Sequence, residues 1–329
     1  MMRAQDGSVT LVTGGAGYIG SVLVADLLDR GRRVRALDSL AVGDGSSLLA
    51  LWGRDGFEFV KGDVRDPAAR ATALRGVGEV VHLAAIVGDP ACARDPEAAT
   101  AVNLEASRAL VDEAIGAGAS RFVFASTCSN YGKLEDPAAY ATEDGELRPV
   151  SLYAETKVAA ELDILARSSE RASTTCLRFA TVYGPSPRMR FDLTVNEFAR
   201  DAVRTGELVV YGEQFWRPYV HVRDAARAVM TVLEAEPETV GGEVYNVGDT
   251  GENYRKLDLV ELLEERVPTM QVERVEKLED PRDYRVSFAK IVERLGFGVT
   301  RNVPGGIDEV LALLAAGVVD DPFAERYRN

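Results

Sequence analysis

Tyr153 and Lys157 stand four residues apart in SLYAETK (151–157). On a helix that spacing puts both side chains on one face. A free tyrosine titrates at about pH 10 and is a poor base at neutral pH. A nearby ammonium favours the phenolate, so such a pair can accept a proton from a substrate. A surface pair would show the same spacing, so the spacing needs a structural context. A second run, ASTCSNYG (125–132), holds Thr127, Cys128, Ser129 and Tyr131, all capable of chemistry. A catalytic Cys128 would need a base beside it, and the chain's two histidines are not placed there by sequence.

The elements that must position these residues alternate. SVTLVT (8–13), RRVRALD (32–38), FEFVKGD (57–63), EVVHLAA (79–85), RFVFAST (121–127) and STTCLRF (173–179) read as strands. Helical spacing occupies 17–30, 96–116 and 153–169. Alternation of this kind predicts an α/β fold: a doubly wound parallel sheet of Rossmann type with helices on both faces. After Phe179 the rhythm changes, and YGPSPRMRFD (183–192) reads as a loop. The expected division is a nucleotide-binding domain over 1–180 and a smaller mixed α/β substrate lobe over 181–329. The chain is expected to return to the first domain near 219–249, where VYNVG (244–248) resembles a sheet strand.

TGGAGYIG (13–20) follows the first strand and opens the first helix. Gly14 suits the tight turn, Gly17 a close pyrophosphate at the helix N-terminus, and Gly20 close helix–strand packing. Asp38 ends the second strand, where a carboxylate accepts from both adenosine ribose hydroxyls and repels a 2′-phosphate. These residues predict NAD rather than NADP, with Arg32, Arg33 and Arg35 as the counter-argument. Asp63, before Val64, either reaches the adenine amino group or caps its strand. His82, in an apolar strand, reads as a core residue.

Taken together, the motifs resemble the extended short-chain dehydrogenase/reductase family, in particular its nucleotide-sugar epimerases and dehydratases. The resemblance rests on TGGAGYIG, Asp38, GDV (62–64), HLAA (82–85), Asn103, STCSNYG (126–132), YAETK (153–157), RFATVYGP (178–185), WRPYVHVRDAARA (216–228) and YNVG (245–248). It implies NAD on the C-terminal edge of the sheet and a nucleotide-diphosphate sugar in the cleft. Tyr18 and Ile19 of the glycine loop, Asp63, Val64, Leu83, Ala84, Ala85 and Asn103 are then expected around the cofactor. Lys157 is expected to hold the cofactor ribose and assist Tyr153. Thr127, four residues before Tyr131, falls where the family bonds the reacting hydroxyl. Dehydratases of the family carry Asp-Glu next, where this chain has Cys128 and Ser129; neither replaces an acid–base carboxylate pair. Thr181 replaces the usual asparagine of RFATVYG, and with Cys128 and Ser129 it is expected to line the sugar pocket.

The counts of 38 basic and 52 acidic residues give a net charge of −14, which argues against nucleic acid as a partner. A diphosphate must then be met by local arginines. Arg217 matches a diphosphate-contacting arginine of the family, and Arg188, Arg190, Arg282 and Arg285 are further candidates by composition. Three widely spaced cysteines and two histidines suggest neither a disulfide framework nor a metal site. With no long apolar run and no leader pattern, a cytoplasmic protein without a membrane partner is expected. The family resemblance implies a homodimer through helices 96–116 and 153–169. The resulting expectation is an NAD-dependent nucleotide-sugar epimerase. Its rivals are a sugar dehydrogenase or keto-sugar reductase, a sugar-acid decarboxylase, and a nucleotide-sensing module without catalysis.

Overall fold

The structure, a computed structural model, describes residues 8–136, 138–280 and 282–329. The strands in chain order are Val9–Thr13 (β1), Arg33–Asp38 (β2), Phe57–Lys61 (β3), Val77–His82 (β4), Arg121–Thr127 (β5) and Ser173–Phe179 (β6). They are followed by Thr181–Tyr183 (β7), Glu207–Tyr211 (β8), Trp216–His221 (β9), Glu243–Val247 (β10), Asn253–Arg255 (β11) and Gln271–Val275 (β12). Seven of them form one sheet in the order β10-β6-β5-β4-β1-β2-β3, and every pair in it is parallel. A strand buried on both faces needs apolar or β-branched residues throughout. VTLVT in β1 meets that demand, and all five residues are buried.

The chain winds from β1 through β2 to β3 on one side, then crosses to place β4 on the other side of β1. At such a reversal the loops leaving the strand ends part, and a crevice opens beyond their C-terminal edges. The TGGAGYIG turn leaves β1 here, and Leu83–Ala85 leave β4. Two hydrogen bonds fasten the turn to its neighbour: Leu83 N donates to Thr13 O at 3.1 Å, and Ala84 N donates to Thr13 Oγ1 at 3.3 Å.

The smaller lobe carries a three-stranded sheet, β11-β9-β7, and a two-stranded one, β12-β8. Phe191, Val195, Leu208, Tyr219, Leu259 and Ile307 pack its core. The later chain also serves the first lobe. β10 joins the large sheet beside β6, and Val229, Tyr284, Phe288 and Ile291 belong to the core built around β1's neighbours. Among the described residues no helix is long and apolar enough to cross a membrane.

Two local outcomes differ from the sequence expectation. The 96–116 segment is not one regular helix: a wider turn at Ala101–Glu105 separates Pro96–Thr100 from Ala106–Gly116. Such bulges re-aim side chains. Here Asn103, inside the bulge, accepts from Ile86 N at 2.8 Å and donates to Ile86 O at 3.0 Å. The second difference is β7, a short strand at the start of the expected loop region; it pairs with β9 from Thr181 to Tyr183.

Candidate active site

The glycine turn is shaped to admit something against its backbone. Gly14 has a φ of +70°, and a β-carbon there would lie 2.9 Å from Ala84 N. A β-carbon on Gly20 would lie 2.1 Å from Gly14 O, so only glycine lets the helix start this close to the turn. Gly14, Gly17 and Ile19 are partly exposed at the crevice. Tyr18 points elsewhere: its hydroxyl donates to Gly184 O at 2.5 Å, which pins the glycine helix to the second lobe. Asp38 accepts from Ala16 N at 3.0 Å and from Leu40 N at 2.9 Å. Its carboxylate is thereby fixed at the end of β2 beside the glycine turn. Arg32 pairs with Glu79 at 2.5 Å, Arg33 with Glu58 at 3.3 Å and Arg35 with Glu58 at 2.5 Å. Arg33 and Arg35 lie toward the opposite end of β2 from Asp38. These features fit the adenosine and diphosphate of NAD.

Asp38→Ala is expected to weaken NAD binding by about 10- to 100-fold, the worth of charged hydrogen bonds to two hydroxyls. It should also narrow the preference over NADP. Fluorescence titration of nucleotide-stripped protein with both cofactors checks this; unchanged NAD affinity would contradict the assignment of Asp38.

Asp63 engages Arg65 with both oxygens, at 3.0 and 2.7 Å, and Val64 beside it is buried. His82 is fully buried between Thr13 Oγ1 at 2.7 Å and Ser107 Oγ at 2.9 Å. Burial holds its pKa down to about 3, so it is a neutral core residue.

Thr127 ends β5, and Tyr153 lies in the first turn of the Leu152–Leu165 helix. The Thr127 hydroxyl is one of the groups that draw the tyrosine's pKa down. Thr127 Oγ1 also accepts from Ser129 N at 3.1 Å. A hydroxyl that accepts from the backbone keeps its own proton for donation. Lys157 is 2% exposed; its Nζ donates to Ala125 O at 2.9 Å and lies 4.5 Å from the Phe124 ring centroid. Burial lowers its pKa from 10.5 to about 8.

One expectation changes here. Tyr153 is partly exposed, yet desolvation by its neighbours outweighs every other influence and holds its pKa above the ordinary value. The charge that pulls it down most is Arg190, with the Thr127 hydroxyl adding to it. Lys157 is not among the groups that draw the tyrosine's pKa down.

The buried Lys157 also makes a stability prediction. Its folded pKa lies below its unfolded value, so the penalty for burying the ammonium is full below about pH 8. It fades as pH rises toward 10.5. The shift corresponds to about 3 kcal/mol, less about 1 kcal/mol for the lost bond to Ala125 O. Nucleotide-stripped Lys157→Met should therefore be more stable than wild type by about 1–2 kcal/mol at pH 7. The gain should vanish above about pH 10, and activity should be lost. Denaturant titrations at both pH values check it.

Residues 10–248 match the NAD-dependent epimerase/dehydratase family. The chain belongs to that family. It is 32% identical over 313 residues to a dTDP-glucose 4,6-dehydratase from Streptomyces griseus, covering 92% of each chain. It is 34% identical over 245 residues to a UDP-glucose 4-epimerase from Mycolicibacterium smegmatis, covering 73% of this chain and 76% of that one. The UDP-glucose 4-epimerase of Thermus thermophilus in complex with NAD superposes with a TM-score of 0.82 at 28% identity, covering 94% of this chain and 100% of that one. NAD is the cofactor of this enzyme family, and the glycine turn and Asp38 are where this member would hold it.

Cys128 is 1% exposed, and its thiol donates to Arg178 O at 3.2 Å. Burial raises the thiol's pKa, which disfavours the nucleophilic thiolate, and the side chain does not line an open pocket. Ser129 is partly exposed and lowers the pKa of the nearby Tyr284. Thr181 is partly exposed in β7.

The expected arginines are all engaged within the protein. Arg188 donates to Arg328 O at 2.7 Å and lies beside Gly43 and the charge of Asp38. That is the side of the crevice where Asp38 stands. Arg190 forms a two-point pair with Asp192 at 2.9 and 2.7 Å. Arg217 binds Asp280 at 2.7 Å, and Arg282 binds Asp89 at 3.0 Å. Arg285 lies 4.5 Å from the Tyr140 ring centroid and 5.1 Å from that of Trp216. Asp89 and the helix-capping Ser151 were absent from the sequence reading. An Asp-Pro pair after a glycine, and a serine just before a helix, were the available signals.

Proposed function

We propose that this protein is an NAD-dependent epimerase of a nucleotide-diphosphate sugar. The observation that carries the reading is the pair of positions after Thr127. A dehydratase needs an acid to protonate a leaving hydroxyl and a base to take a carbon-bound proton. Here one position is a buried thiol held on a carbonyl and the other a serine hydroxyl. The Thr127–Tyr153 pair remains, and it suits proton removal from one hydroxyl while the same carbon is oxidised.

Bound NAD would supply hydride acceptance, hydride return and positive charge beside the tyrosine. Tyr153 would take the proton from the sugar hydroxyl, because a cation beside it offsets the desolvation that raises its pKa. Thr127, its lone pair committed to Ser129 N, would donate to the sugar oxygen. Lys157, braced on Ala125 O, would hold the cofactor ribose. The keto-sugar would turn in the cleft before the proton returns from Tyr153 to the oxygen on its new face. Arg217 and Arg282 would exchange their present partners for the diphosphate.

A panel of nucleotide sugars screened by thermal shift, then product NMR on the best binder, tests this reading. A stereoisomer of the substrate is expected. A product lighter by one water would favour the dehydratase activity of the Streptomyces relative.

The homodimer belongs to this reading as well. Ala106–Gly116 and Leu152–Leu165 lie side by side, joined by the Arg108–Asp163 pair, and Leu162 is 58% exposed on their outer side. Pairing of these helices across a two-fold axis would cover it. Sedimentation at micromolar concentration should show a dimer that Leu162→Glu weakens.

A further inference from the structure

We propose that Asp89 is a positioning residue that couples the substrate lobe to the helix carrying Tyr153. This inference rests on the reading of Tyr153 as the proton acceptor.

Asp89 opens a short helix, Asp89–Arg94, after the loop that leaves β4. Its two carboxylate oxygens face different lobes. Oδ1 accepts from Ser151 Oγ at 2.7 Å. Oδ2 accepts from Arg282 Nη1, in the second lobe, at 3.0 Å.

Ser151 is the N-cap of the Leu152–Leu165 helix, and its Oγ accepts from Ala154 N at 3.3 Å. A serine hydroxyl has one proton, and a capping serine must point that proton away from the helix amide it accepts from. Asp89 takes that proton and so orients the cap. Tyr153 lies two residues beyond, within the turn that the cap holds.

The other end of the chain of bonds is equally fixed. Arg282 N donates to Asp280 Oδ1 at 3.0 Å. Arg217 donates to Asp280 Oδ2 at 2.7 Å and also to Arg282 O. A continuous hydrogen-bonded path therefore runs from Arg217 through Asp280, Arg282 and Asp89 to Ser151 and the first turn of the catalytic helix. Arg217 and Arg282 are the groups expected to meet a diphosphate. A ligand that draws on them changes the hold on Asp89, and by reciprocity the state of the helix turn changes affinity at the arginines. An exposed ion pair adds about 0–1 kcal/mol to stability. The role of this one is in what it connects.

Hydrogen–deuterium exchange of the holoenzyme tests the coupling without requiring substrate. Arg282→Gln lies in the other lobe, yet it should speed exchange of the Ala154 and Glu155 amides by about 5-fold or more. Asp89→Asn should do the same, and the double variant should match Asp89→Asn alone. kcat should fall in parallel in both variants, with NAD content unchanged, while Arg282→Gln should in addition raise KM through the lost diphosphate contact. Unchanged exchange in Arg282→Gln, or effects of the two substitutions that multiply, would overturn the proposal. Coupled exchange together with an active Tyr153→Phe would leave the coupling standing and remove the assignment of Tyr153.

Discussion

Tyr153→Phe is expected to lower kcat by about 10²–10⁴, the usual contribution of a positioned acid–base group, while retaining bound NAD. The ring keeps its packing in the first turn of its helix, and only the hydroxyl is lost. The loss should appear in the chemical step, since the proton must be held and returned each cycle. Stopped-flow absorbance of the enzyme-bound nicotinamide after mixing with substrate isolates that step. A variant that forms the reduced cofactor at the wild-type rate would show that another group takes the proton. A nucleotide-sensing protein, by contrast, would keep its ligand response unchanged in this variant.

The second large effect concerns ASTCSNYG. Thr127→Val should remove most activity, again by about 10²–10³. Its bond strengthens as the sugar hydroxyl loses its proton, so the loss falls on the transition state more than on substrate binding. Cys128→Ala should be mild in turnover, because the thiol contacts Arg178 O inside the protein rather than the cleft. It should cost stability instead, on the order of 1 kcal/mol, from a small cavity and an unmade weak hydrogen bond. Side-by-side turnover of one nucleotide sugar decides the matter. An inactive Cys128→Ala with an active Thr127→Val would reverse the roles and require thiol chemistry.

The cofactor half of the molecule was legible because it depends on local geometry. Only glycine fits at Gly14 and Gly20, and β-branched runs bounded by turn residues marked Arg121–Thr127 and Ser173–Phe179 with their observed limits. The substrate half depends on partners far apart in sequence. Arg217 is held by Asp280, Arg282 by Asp89, and Arg188 by the Arg328 carbonyl, and no local pattern announces such pairs. The influence on Tyr153 is of the same kind. Spacing places Tyr153 and Lys157 on one helix, but desolvation by surrounding segments raises the tyrosine's pKa and Arg190, far away in sequence, lowers it. The bulge at Ala101–Glu105 was hidden because it answers to Ile86, on another segment.

The central claim is reversible oxidation at a single carbon with no net change in cofactor. The direct test incubates the holoenzyme with its nucleotide sugar deuterated at the inverted carbon and follows product mass, stereochemistry and NADH together. The account predicts a stereoisomer of equal mass that retains its deuterium, with no accumulation of NADH. A product lighter by one water or one carbon dioxide, or NADH formed in step with product, would contradict it.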